Sequence, residues 1–156
     1  MRWRIPVAVA LWALPIGAAN AQSVAEIIGQ FGLIGTWAAD CAKPASSDNY
    51  LMVYAATGGG EVSRTYYDQP GHIYNKYKIV SATRQGPGTL TYEQVWDFDG
   101  SPANVAADRM TVVLKMSDGK FQVVSSQGSD GSYFVKDRKF TGSGNESPWQ
   151  VRCPGK

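Results

Sequence analysis

The chain has 156 residues, about one domain's worth, which argues against a multidomain assembly. Its 44% hydrophobic and 18% charged content excludes a wholly disordered chain, and outside the extreme N-terminus it has no apolar run long enough to span a bilayer. The formal charge of +2 would favour anionic partners only if the working protein keeps the residues that carry it.

Arg2 and Arg4 form a basic head, residues 5–18 are apolar but interrupted by Pro6 and Pro15, and Ala19-Asn20-Ala21 fits the small-x-small rule of signal peptidase. Residues 1–21 are therefore expected to be a cleaved secretory signal. The alternative, an uncleaved anchor, is disfavoured by the short apolar core, and no cysteine stands at the cleavage point to take a lipid. This leaves one domain over residues 22–156 in a secreted, periplasmic protein without a membrane span. Cleavage lowers Lys plus Arg from 15 to 13, equal to the 13 Asp plus Glu, so the mature chain is near neutral. Nucleic acid is not an expected partner: the densest basic cluster, Lys136-Asp137-Arg138-Lys139, is broken by an acid and reads as a solvated strand edge or turn.

Ser23 and Glu26 have the spacing of a capping box, Val24, Ile27, Ile28 and Phe31 make one apolar helical face, and Gly32 is suited to end the helix. Gly29 costs this helix about 1 kcal/mol relative to Ala, so tertiary packing must hold it. Beyond Gly35, runs rich in Val, Tyr, Thr and Phe alternate with turn-forming clusters over residues 50–56, 61–68, 73–84, 89–98, 110–117, 120–127, 132–140 and 149–153. An antiparallel meander follows.

Two hairpins test this reading. A four-residue loop Gln85-Gly86-Pro87-Gly88 pairs Thr83 with Leu90, Ser81 with Tyr92, Ile79 with Gln94, Tyr77 with Trp96 and Asn75 with Phe98 on one face. Lys76 then faces Asp97, and Lys78 faces Val95, on the other. A type I′ turn at Asp118-Gly119 pairs Met116 with Phe121, Leu114 with Val123 and Val112 with Ser125 on the apolar face. It leaves Lys115, Gln122, Thr111 and Ser126 toward solvent, with Val113 and Val124 as an exposed pair.

One short helix cannot cover the apolar face of so many strands, so the sheet is expected to close on itself: an all-β, antiparallel up-and-down barrel of about eight strands with a short N-terminal helix. A β-sandwich is the alternative. Cys41 and Cys153 are the only cysteines, in a chain addressed to an oxidising compartment, and are expected to form a disulfide joining the first strand to the last. Closing so long a loop is worth about 4–5 kcal/mol in the chain-entropy picture.

The apolar helix followed by Gly35-Thr36-Trp37 at the start of the first strand resembles the G-x-W signature of the lipocalins and the wider calycin group. The resemblance implies an up-and-down barrel that binds a small, usually apolar molecule, with Trp37 packed at the closed end. It also points to Arg152 as the usual basic partner, although strand parity turns Arg152 outward.

The inferred inner face carries Tyr77, Ser81, Tyr92, Gln94 and Trp96, ring surface around a few polar groups, as a small-molecule pocket requires; a filled core is the alternative. Arg64 and Tyr66, on one face of their strand, would add an anion-binding element. His72, the only histidine, follows Pro70-Gly71 and reads as an exposed turn residue. The segment Asp97 to Asp108 has the acids of a calcium loop but neither its glycine spacing nor its glutamate, so an ordinary loop is expected. Gly58-Gly59-Gly60 reads as a hairpin loop. No catalytic constellation, metal site or cofactor motif is recognised, so the expectation is a non-enzymatic binder of a small apolar or amphipathic molecule. The second expectation is a protein-binding module, such as an inhibitor meeting an envelope protein through the Gly/Ser-rich segments 128–132 and 141–146.

Overall fold

The structure is a computed structural model that describes residues 21–97 and 109–155. The expected signal up to Asn20, the Phe98 partner of the expected Asn75–Phe98 pair and all but Asp97 of the Asp97–Asp108 segment lie outside the described residues. Among the described residues one α-helix, α1 (Val24–Phe31), precedes strands β1 (Gly35–Ala38), β2 (Leu51–Ala56), β3 (Val62–Gln69), β4 (His72–Arg84), β5 (Thr89–Trp96), β6 (Met110–Ser117), β7 (Lys120–Gly128), β8 (Tyr133–Lys136), β9 (Lys139–Phe140) and β10 (Gln150–Arg152). All strand pairs are antiparallel. β1 to β7 follow one another in order, and β10 pairs with both β1 and β7, so eight strands close a barrel. Closure leaves no free edge around the ring and supplies the cover that one helix could not.

The start of β7 pairs with β10 through Lys120 and Phe121, whereas its far end pairs with β8 through Ser126 and Gln127. The run 132–140 is therefore not one strand but a short hairpin carried outside the ring. Asp137 and Arg138, with φ of 51° and 66°, make its turn, and the basic cluster is spent on that turn.

Helix α1 has its capping box: Glu26 N donates to Ser23 Oγ at 3.2 Å and Ser23 N donates to Glu26 Oε2 at 2.7 Å. Its apolar face, with Ile28 and Phe31 buried, plugs the barrel end formed by the β2–β3, β4–β5 and β6–β7 turns. Among the described residues no helix is long and apolar enough to cross a membrane. Cys41 and Cys153 are disulfide-bonded with Cα atoms 5.3 Å apart, tying the segment that leaves β1 to the residue after β10.

At the β6–β7 turn Asp118 and Gly119 both have positive φ, as a type I′ turn needs, and Met116 meets Phe121 and Leu114 meets Val123 as expected. A bulge between Val113 and Leu114 then moves the partner of Val112 from Ser125 to Ser126, which is buried, and sets Val113 opposite Ser125. Gln122 does lie on the outer face but is not solvated: the 146–147 segment covers it, and its Nε2 donates to Ser147 O at 2.7 Å and Glu146 Oε1 at 3.1 Å.

The β4–β5 pair holds the expected register through Tyr77–Trp96, Lys78–Val95 and Ile79–Gln94, and Lys76 meets Asp97 at 3.3 Å across its outer face. Beyond Ile79 a bulge at Val80 shifts the partners by one, so Ala82 rather than Ser81 faces Tyr92, and Arg84 rather than Thr83 faces Leu90.

Candidate functional site

The two ends of the barrel are built differently. At the helix-plugged end Trp37 is buried and packs edge-on against Phe121 with ring centroids 5.0 Å apart. Its Nε1 donates to Leu33 O at 2.8 Å. Trp37 and Arg152 are direct partners across β1 and β10, which corrects the outward placement of Arg152 drawn from parity. The guanidinium lies 5.2 Å from the Trp37 ring and leaves the barrel at its rim, donating through Nη2 to Gly32 O and Ile34 O at 2.7 and 2.6 Å. Gly35 is explained by its backbone: a φ of 136° disfavours other residues, whereas a Cβ there would only reach ordinary contact with the Arg152 guanidinium at 3.5 Å.

The opposite half of the interior is polar and aromatic. β2 contributes Met52 and Tyr54, β3 Arg64 and Tyr66, β4 Tyr77, and β5 Tyr92, Gln94 and Trp96. The Tyr54 and Tyr92 hydroxyls meet at 3.1 Å. Arg64 is only 3% exposed. Its Nη1 donates to Gln94 Oε1 at 3.1 Å and its Nη2 lies 3.6 Å from Met52 Sδ, while the buried Nε has no partner. The guanidinium stands 4.5 Å from the Tyr66 ring centre, 5.4 Å from Tyr54 and 5.9 Å from Tyr92. Among the described residues no carboxylate pairs with it.

Rings lead from this cation to the rim. Tyr66 is half-buried and touches Tyr77 edge-on, and Tyr77 in turn touches Trp96. On its other side Tyr66 meets Tyr50, which tilts against Tyr74, half-exposed at the barrel edge. Burial pushes the Tyr92 phenol well above its ordinary value and Tyr54 upward, against the opposing pull of Arg64 on both. Burial also disfavours the Arg64 cation, yet its surrounding tyrosines more than offset that, and its pKa is raised. At neutral pH the guanidinium is therefore charged among neutral phenols.

Of the residues expected inside, the structure brings together Arg64, Tyr66, Tyr77, Tyr92, Gln94 and Trp96. Ser81 is excluded: the Val80 bulge turns it outward, where it is exposed and donates to Glu93 Oε2 at 3.4 Å. Tyr54 was missed, although its alternation with Met52 in the run 51–56 already placed both on one face. Tyr50 and Tyr74 carry weaker signals, because Tyr50 precedes its strand and Tyr74 sits at a register shift near the β3–β4 turn.

Elsewhere, His72 is exposed with Nδ1 2.6 Å from Asp68 Oδ1, and Gly58–Gly60 forms a single 3-10 turn between β2 and β3. An open groove of about 380 Å³ lies on the outer face of β1 to β3, lined by Thr36, Leu51, Val53, Tyr67 and Pro70 among others, and separate from the interior. Compared with known proteins, the chain matches no family model, no curated protein and no solved structure. The closed eight-stranded antiparallel barrel is compatible with a calycin-like fold.

Proposed function

We propose that the protein is an exported, lipocalin-like barrel of the periplasm that binds a small apolar or amphipathic molecule, as a carrier or sensor rather than an enzyme. The observation that carries this reading is the inward cluster of Tyr54, Tyr66, Tyr77, Tyr92, Gln94 and Trp96, continued by Tyr50 and Tyr74 to the rim. An eight-stranded barrel has an interior of the size that side chains fill or one small ligand occupies, and amphipathic rings around a few polar atoms suit a ligand with both kinds of surface. Native mass spectrometry of the purified protein after exposure to an envelope lipid extract tests it. A one-to-one adduct, with quenching of tryptophan fluorescence, is expected; the unliganded mass alone would oppose the reading.

A second reading, a module that meets an envelope protein, is favoured by one feature. The β8–β9 hairpin, between the 128–132 and 141–146 loops, exposes Phe134 at 55% and Phe140 at 40%. Loss of partner capture on shortening either loop, with the barrel intact, would support it.

A further inference from the structure

The tyrosine cluster holds a group that an apolar ligand does not need. A cation taken out of water is strongly disfavoured unless an opposite charge or a full set of hydrogen bonds replaces its hydration, and Arg64 has neither. It makes one hydrogen bond to a neutral amide and one weak contact to a thioether, has the neutral Tyr54 phenol within hydrogen-bonding reach, and leaves Nε empty. Cation–π contact with Tyr66 supplies part of the deficit. Two other arginines are treated differently: Arg109 donates to Glu93 at 2.8 Å and Arg152 to two carbonyls.

We infer that Arg64 is the receptor for an anionic head group, and that the ligand is a carboxylate-bearing amphiphile whose tail lies along Tyr66, Tyr77 and Trp96 toward the rim. A planar guanidinium matches a planar carboxylate in charge and in the spacing of its donors, and the empty Nε lies on the fork such a carboxylate would use. The neighbouring phenols, protonated at neutral pH, can donate a further hydrogen bond without adding repulsion. Gln94 orients the fork: its Oε1 accepts from Nη1, while its Nε2 lies 3.6 Å from Met110 Sδ, which fixes the amide's direction. This assignment rests on the ligand-binding reading above and narrows its ligand class.

The test uses the full mature protein with its disulfide intact and three probes: dodecanoate, 1-dodecanol and acetate. Titration calorimetry should find dodecanoate bound at least tenfold more tightly than dodecanol, with acetate weak, because the tail contributes much of the binding. Arg64→Met should remove that preference and leave dodecanol affinity within about twofold, with a denaturation midpoint no lower than the parent's, since an unpaired buried cation has been removed. If Arg64→Met does not fold, the parent alone decides: dodecanoate should raise its melting temperature more than dodecanol does. Equal binding of acid and alcohol overturns the Arg64 assignment and keeps the ligand-binding reading. Failure of both to bind overturns both. Acetate binding as tightly as dodecanoate would leave an anion site and remove the amphiphile.

Discussion

The helix-plugged end and the tyrosine end of the barrel solve the same packing problem in opposite ways. Around Trp37, Phe121, Ile28 and Leu33 the interior is largely apolar, and the Trp37 Nε1 is satisfied by Leu33 O. The charge that serves this end, Arg152, stays at the rim, where water shares its hydration. Around Arg64 the charge is inside and the hydrogen bonding is incomplete. One end is arranged for stability and the other departs from it. Departures of that kind, a buried polar group short of partners in a concave aromatic setting, are where binding is expected to reside.

The contrast can be broken at either end. The largest expected effect is Trp37→Ala, which removes the ring shared by Phe121, Leu33 and Arg152 and should cost about 3–5 kcal/mol in urea unfolding. A loss under 1 kcal/mol would mean that the plugged end is not the stabilising one. Cys41→Ser with Cys153→Ser should cost about 2–5 kcal/mol, because the bridge closes a loop spanning 112 positions, while the tyrosine cluster's near-ultraviolet spectrum is retained.

A third test reads the tyrosine end directly. Tyr54 and Tyr92 have folded pKa values raised above the unfolded value of about 10, so their contribution to stability is complete below that pH and is lost as pH rises through the folded values. Absorbance titration should show the exposed tyrosines ionising first and these two last, coincident with alkaline unfolding. Arg64→Met should delay them further by removing the pull of the cation. Smallest is Ser23→Ala, which removes the acceptor for Glu26 N and should cost about 1 kcal/mol in the same urea assay. Glu26 has a depressed pKa, chiefly from the Ser23 backbone N–H and then its side chain. Its contribution is present above the unfolded carboxylate value and fades as pH falls through the folded one.

Much of this contrast was legible in the residues. Alternation put Arg64, Tyr66, Tyr77, Tyr92, Gln94 and Trp96 on one face, and two cysteines in a chain expected to be exported implied the closing bridge. What parity cannot see is a bulge: one extra residue at Val80 reverses every side chain toward the turn, which is why Ser81 was misplaced and Ala82 took its position. Nor does local pattern reveal that a surface position will be covered, as the 146–147 segment covers Gln122. The pairing of Arg152 with Trp37 depends on the stagger between the first and last strands, a closure property that neither strand carries by itself.

The division of labour between the two ends is tested most directly by amide chemical-shift mapping as the ¹⁵N-labelled protein is titrated with dodecanoate. Shifts confined to the strands bearing Tyr54, Arg64, Tyr66, Tyr77, Tyr92, Gln94 and Trp96, with Leu33, Trp37 and Phe121 unmoved, are the predicted result. Shifts centred on Trp37 and Phe121, or on the 128–132 and 141–146 loops, would contradict it.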